Sequence, residues 1–189
     1  MQRSERIKMK KTLSCDALHH SIFAAPDVFR HCCKRFFVEG KMKGDVEILK
    51  LTSDTNISYE KIRESKKKLY EAINQGKRTP CTGCPWLRKD IWKPLDRLEI
   101  SHISIEHHTI CNLRCIYCSE IYYSGKETAY DIKLLFEELS TNKAISKNLS
   151  IVWGGGEPVL LKTFDDVFST ITDWYKFIYN NVFTNATIY

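Results

Sequence analysis

The run Cys111-Asn112-Leu113-Arg114-Cys115-Ile116-Tyr117-Cys118 constrains this chain more than any other stretch of its sequence. Cysteines in the pattern Cys-x3-Cys-x2-Cys wrap a short loop around one soft metal centre. They supply three thiolates, whereas a four-iron cube takes one per iron. One iron of such a cube is left open to a ligand from elsewhere. Further on, an apolar run from Leu149 to Trp153 ends in Gly154-Gly155-Gly156-Glu157-Pro158. Glycines let backbone groups approach a ligand closely and permit positive φ. Glu157 adds an acceptor for a cationic amine, and Pro158 stiffens the exit. An incompletely ligated cluster, followed by a strand ending in bare backbone and one carboxylate, points to a cofactor bound at the cluster.

The second half of the chain reads as strand–loop–helix units. Glu99 to Glu106 alternates Ile100, Ile103 and Ile105 imperfectly with polar residues and is expected to be a strand leading into the cysteine loop. Thr128 with Asp131 has a capping-box character and opens a helix whose core face is Ile132, Leu135, Phe136 and Leu139. Leu149–Trp153 is a short strand ending at the glycines. Thr163 with Asp166 repeats the capping pattern for a helix whose core face is Val167, Phe168, Ile171, Trp174 and Ile178. A third strand begins at Val182 and runs to Tyr189. This order predicts parallel strands covered by helices, with chemistry collected at the strands' C-terminal ends.

The first half is different in kind. Residues 1–14 are polar and expected to be loose. Phe36-Phe37-Val38 and Val46-Glu47-Ile48-Leu49 flank Glu39 to Gly44 and suggest a hairpin. Ser58 is placed to cap a helix with Ile62, Leu69 and Ile73 on one face and Gly76 just past its end. Leu87 to Arg97 is irregular, and the boundary between two units falls there, giving 1–98 and 99–189.

Net charge is +6, with Lys and Arg scattered or on helix faces such as Lys66-Lys67-Lys68. That pattern favours a solvated helix face over a nucleic-acid surface. No apolar stretch reaches the length of a membrane span, and no signal-like segment follows the basic N-terminus, so a cytoplasmic protein is expected. Eight cysteines in such a chain are not expected to form disulfides. They fall into two groups, Cys15, Cys32, Cys33, Cys81 and Cys84, then Cys111, Cys115 and Cys118, which reads as two metal or cluster sites.

The cysteine loop after a first strand, with Gly-Gly-Glu-Pro ending a second, resembles the radical S-adenosylmethionine (radical SAM) superfamily. The resemblance implies an α/β fold: an incomplete (β/α)6 partial barrel of about three βα units, truncated after its third strand, preceded by a small α+β cysteine-rich module. It implies that Cys111, Cys115 and Cys118 hold three irons of a [4Fe–4S] cluster, with the fourth iron chelated by the methionine part of S-adenosylmethionine. Gly154, Gly155, Gly156 and Glu157 would receive the methionine ammonium, Tyr117 would lie beside the adenine, and Thr184 and Asn185 would contribute polar contacts. An electron from a flavodoxin or ferredoxin would split S-adenosylmethionine into methionine and a 5′-deoxyadenosyl radical that abstracts hydrogen from a substrate.

The first-half cysteines resemble the auxiliary-cluster modules (SPASM or twitch type) that accompany many of these enzymes. By that resemblance Cys15, Cys81, Cys84 and one of Cys32 or Cys33 would ligate a second iron–sulfur cluster, and a peptide or protein would be the leading substrate class. By itself the chain is not expected to turn over. Zinc is the alternative at both sites. At the first it would recruit His107 or His108 as fourth ligand, and at the second it would form a ribbon on Cys32/Cys33 and Cys81/Cys84. The chain would then be a non-catalytic structural or interaction module.

Overall fold

The computed structural model describes residues 10–116, 118, 124–175 and 178–187. Along the chain, β1 (Thr12–Ser14) leads into a short α1 (Asp16–His20), then β2 (Ser21–Ala24), β3 (Val28–Arg30), β4 (Arg35–Val38), β5 (Lys41–Gly44), β6 (Glu47–Lys50), the long α2 (Tyr59–Asn74) and β7 (Arg88–Asp90). There follow β8 (Ile100–Ile105), α3 (Ile132–Thr141), β9 (Ile145–Trp153), a single 3-10 turn (Pro158–Leu160), α4 (Phe164–Trp174) and β10 (Tyr179–Val182). Among the described residues no helix is long and apolar enough to cross a membrane.

Both halves of the chain build one mixed six-stranded sheet in the order β10-β9-β8-β2-β3-β6. The first four run parallel: β10 on β9, β9 on β8, and β8 on β2 through Ile103 opposite Ile22 and Ile105 opposite Ala24. β3 and β6 then add antiparallel. The two units expected on either side of residue 98 therefore share a sheet. They also share a core, in which Leu18, Ile22, Phe29 and Ile62 pack in one cluster with Ile103, Phe136, Ile151 and Trp153.

The helices cover this sheet as their apolar stripes dictate. α3 buries Ile132, Leu135, Phe136 and Leu139, each contributing roughly 1.5–3 kcal/mol. Its cap is Asp131, whose carboxylate accepts from the Lys133 N–H at 2.9 Å, and not Thr128. In α4, Thr163 stands at the capping position but its hydroxyl makes no capping bond. Val167 and Ile171 are buried, but Trp174 is exposed. α2 ends as its sequence predicts, with Gly76 at φ +70° and the Lys77 N–H closing back on the Ala72 carbonyl. Ser58 makes no side-chain cap there; the Glu138 carboxylate accepts the Tyr59 N–H instead.

Several expectations need correction. The third strand is Tyr179–Val182, ending where it was expected to begin (residues 188–189 lie outside the described residues), Ile178 falls after α4 and not on its face, and Thr12–Ser14, in the segment expected to be loose, is a strand held by β7. The hairpin pairs β4 with β5, because Glu39 and Gly40 both take positive φ and close a two-residue turn. Val46 to Leu49 belongs instead with β3 in the large sheet. The Leu87–Arg97 segment carries β7, which pairs with β1, and buries Leu95. Finally, Lys66 is fully buried, not part of a solvated lysine face.

Candidate metal centres

The C-terminal ends of β8, β9 and β10 lie side by side in the sheet, and each carries one expected piece of the first site. β8 runs into the cysteine loop, β9 into the glycine turn, and β10 into Thr184-Asn185. Backbone bonds stitch the first two together. The N–H groups of Gly154, Gly156 and Glu157 donate to the carbonyls of Ile105, His108 and Ile110 at 2.9, 3.1 and 2.7 Å. The glycines are required by this close approach. A Cβ on Gly156 would stand 2.0 Å from the Ile110 carbonyl oxygen, and Gly155, at φ +101°, would place one 2.6 Å from the His108 carbonyl oxygen. Only Gly154 faces ordinary space, 3.6 Å from Glu106 Cγ.

Glu157 is buried, and its carboxylate is already engaged: Oε1 accepts from the Thr184 hydroxyl at 2.7 Å and Oε2 from the Asn185 N–H at 2.6 Å. The expected ammonium acceptor is thus first a brace between the glycine turn and the end of β10. Asn185 continues the link, donating to Asn112 Oδ1 at 2.9 Å and approaching Cys111 Sγ at 4.0 Å.

Within the loop, the Leu113 N–H points at Cys111 Sγ at 3.4 Å, and the Cys118 N–H closes a turn on the Cys115 carbonyl. Desolvation raises the Cys118 thiol, and the neighbouring Cys115 and Cys111 push it the same way. Tyr117 lies outside the described residues. The two candidate fourth ligands are both buried, and their ring nitrogens differ in what they meet. His108 Nδ1 accepts the Ile110 N–H at 3.2 Å, whereas burial drives His107 down to about 3, so that its ring stays neutral, the form that binds metal, and its buried Nδ1 has no hydrogen-bond partner among the described residues.

The second group of cysteines assembles from three separate segments. β1 pairs with β7 in a register that sets Ser14 opposite Arg88, so Cys15 arrives beside the Cys81–Cys84 turn. The bidentate Arg88–Asp16 ion pair holds that junction. On the other side, Trp86 packs edge-on against Phe36 and lies under the Lys34 ammonium at 4.5 Å, which brings the same turn to Cys32. Each of Cys15, Cys32, Cys81 and Cys84 consequently sits in the electrostatic range of the other three. Burial pushes Cys81 up to about 12, with Cys32, Cys15 and Cys84 reinforcing it. Burial likewise raises Cys15 and Cys32, against the Leu18 and Ala17 N–H groups that stabilise a Cys15 thiolate and the Lys34 N–H that stabilises one at Cys32. Cys33 is exposed and faces Glu106, Lys34 and Asp45 instead.

Among the described residues, no three Cys, His, Asp or Glu side chains close around a single metal ion. Both groups are thiol-only, half-buried and approached by backbone N–H donors, a donor set that an iron–sulfur cluster or a zinc ion could take.

Residues beyond the expected set complete the picture. A cavity of about 460 Å³ opens beside Gly155, lined by Arg30, Arg35, Glu106, His108 and Lys126. Lys126 pairs with Asp27 and Arg35 with Asp45. The Arg30 guanidinium lies over the Phe23 ring at 5.7 Å, and its buried Nε has no hydrogen-bond partner among the described residues. Burial raises the Glu106 carboxyl, against the pull of Arg30 and Arg35. A larger cavity, about 700 Å³, lies where β8 and β9 begin and holds none of the cysteines. In comparison with known proteins, no family model matches the chain, nor does any curated protein or solved structure.

Proposed function

We propose that this chain is part of a cytoplasmic radical SAM enzyme with an auxiliary iron–sulfur centre, acting on a peptide or protein. The observation that carries this reading is the stitching of the glycine turn to the cysteine loop by three backbone hydrogen bonds. A three-thiolate loop held rigidly against a strand end with no side chains suits a cluster whose open iron receives a small zwitterionic cofactor. Cys111, Cys115 and Cys118 would hold that cluster, and Cys15, Cys32, Cys81 and Cys84 the auxiliary one.

A cluster held by Cys111, Cys115 and Cys118 would supply an electron, drawn from a flavodoxin or ferredoxin, for reductive cleavage of S-adenosylmethionine to methionine and a 5′-deoxyadenosyl radical. The chain's own residues bind and orient. Gly155 and Gly156 let the turn close on the backbone of the cysteine loop, and Asn185 positions Asn112 and Cys111. Glu157 fixes the spacing between two strand ends. The cavity beside Gly155 is the place for substrate, lined by the unpartnered Arg30 Nε and by the Glu106 carboxyl under the pull of Arg30 and Arg35.

The test is anaerobic reconstitution with iron and sulfide. Roughly eight irons per chain, and a reduced-cluster EPR signal that changes when S-adenosylmethionine is added, are expected. Cys115→Ala should remove that response. Stoichiometric zinc with no brown absorbance, or a signal indifferent to the nucleotide, points to a non-catalytic metal module and overturns the enzyme reading.

A further inference from the structure

Lys66 is the least expected residue in this fold. It lies midway along α2, fully buried, and its Nζ donates to the carbonyl oxygens of Leu18 at 3.0 Å and Ser21 at 2.7 Å. Those carbonyls satisfy two of its three N–H donors but carry no charge. Taking an ammonium out of water costs several kcal/mol unless an anion compensates it. Among the described residues, no carboxylate pairs with Lys66. The groups that favour its charged form are Cys15 and Cys32. The other titratable neighbours are the imidazoles of His19 and His31, both held neutral by burial, with Lys66 itself adding to the effect.

Two states of the neighbouring cysteines then have opposite consequences. With four neutral thiols, Lys66 is an uncompensated buried charge, and desolvation pulls its ammonium down to about 7. With four thiolates around a doubly positive core, the site carries a net double negative charge. A buried cation against it is then favourable to both. An ammonium placed here makes physical sense only beside the second state.

We propose that Lys66 is the buried counter-cation of the metal centre held by Cys15, Cys32, Cys81 and Cys84, and that its charge, not its hydrogen bonds, retains the metal. This rests on the metal reading of those four cysteines and is independent of any chemistry at Cys111–Cys118. Lys66 acts through the thiolates and is a positioning residue. It also ties the centre to the fold, because the carbonyls it engages bracket the end of α1 and the start of β2.

The experiment uses the full chain with Cys111, Cys115 and Cys118 changed to Ser, so that one centre remains, loaded anaerobically with ferrous iron and sulfide. Lys66→Met removes charge and hydrogen bonds together; Lys66→Gln keeps an amide donor and removes the charge. Both variants should lose iron to a chelator at least roughly ten-fold faster than the parent. The metal-free Lys66→Met chain should melt at a higher temperature than the metal-free parent, since an unpaired buried charge is gone. A lysine that merely caps two carbonyls gives the other pattern. Metal-free Lys66→Met then melts lower, Lys66→Gln is rescued, and iron is retained equally, which overturns the proposal. A parent chain that takes up no iron at this centre overturns the metal reading and the Lys66 assignment together. Normal loading that is indifferent to both variants overturns the Lys66 assignment alone.

Discussion

The carboxylate of Glu157 accepts the backbone N–H of Asn185 at 2.6 Å, so the turn that ends β9 and the segment that leaves β10 are one hydrogen-bonded unit. The Thr184 hydroxyl takes the other carboxylate oxygen. Glu157→Ala leaves the part-buried Asn185 N–H without its carboxylate partner and should lower unfolding stability by about 2 kcal/mol. Glu157→Gln retains one acceptor oxygen and should lose less. Urea unfolding of both variants measures this; equal stability of Glu157→Ala and parent would sink the brace.

The two ends of the glycine turn should respond differently to one methyl group. Gly156→Ala drives a Cβ into the Ile110 backbone, next to Cys111. It should cost about 3 kcal/mol or more and displace the cysteine loop, cutting iron incorporation at Cys111–Cys118. Gly154→Ala meets only Glu106 Cγ at contact distance and should cost within about 1 kcal/mol, with iron unchanged. Similar losses from both substitutions would contradict the packing described.

Adjacent cysteines should not be equivalent. Cys32 lies within the four-thiol group and Cys33 faces Glu106 and Asp45. Reconstituted Cys33→Ser should keep roughly eight irons per chain, while Cys32→Ser should fall toward roughly four. Iron and sulfide analysis decides between them, and the reverse order would reassign the ligand.

Acid sensitivity should trace in part to His107. Burial lowers its pKa to about 3, whereas an unfolded histidine titrates near 6.5. Between those values the unfolded chain binds the extra proton, so stability rises with pH there. The contribution is fully present above about 6.5 and is lost as pH falls toward about 3. His107→Leu should flatten that limb of the stability–pH curve; an unchanged slope would mean the ring is not held neutral.

Much of this architecture is legible along the chain because it is written in local periodicity. The stripe Ile132, Leu135, Phe136, Leu139 and the glycine after α2 required no tertiary information, since a 3.6-residue repeat and a positive φ are properties of consecutive residues. The Cys-x2-Cys spacings likewise announce themselves, and both close as turns in which the later cysteine N–H meets the earlier carbonyl.

What stayed hidden depends on residues far apart in the chain. Lys66 falls four residues after Ile62 and seven before Ile73, inside the buried stripe of α2. A cation in such a stripe reads as solvated until the Leu18 and Ser21 carbonyls and the thiols of Cys15 and Cys32, all distant in sequence, are seen beside it. The β6 strand leaves its expected hairpin because a two-residue turn closes β4 on β5, freeing the apolar Ile48 and Leu49 for the large sheet. The sequence by itself thus determined the apolar stripes of the three longer helices, the strands flanking the cysteine loop and glycine turn, and which thiols stand as neighbours in a loop. The tertiary structure alone decided which distant groups share a site, because desolvation and charge compensation are settled by what packs against a residue and not by what precedes it.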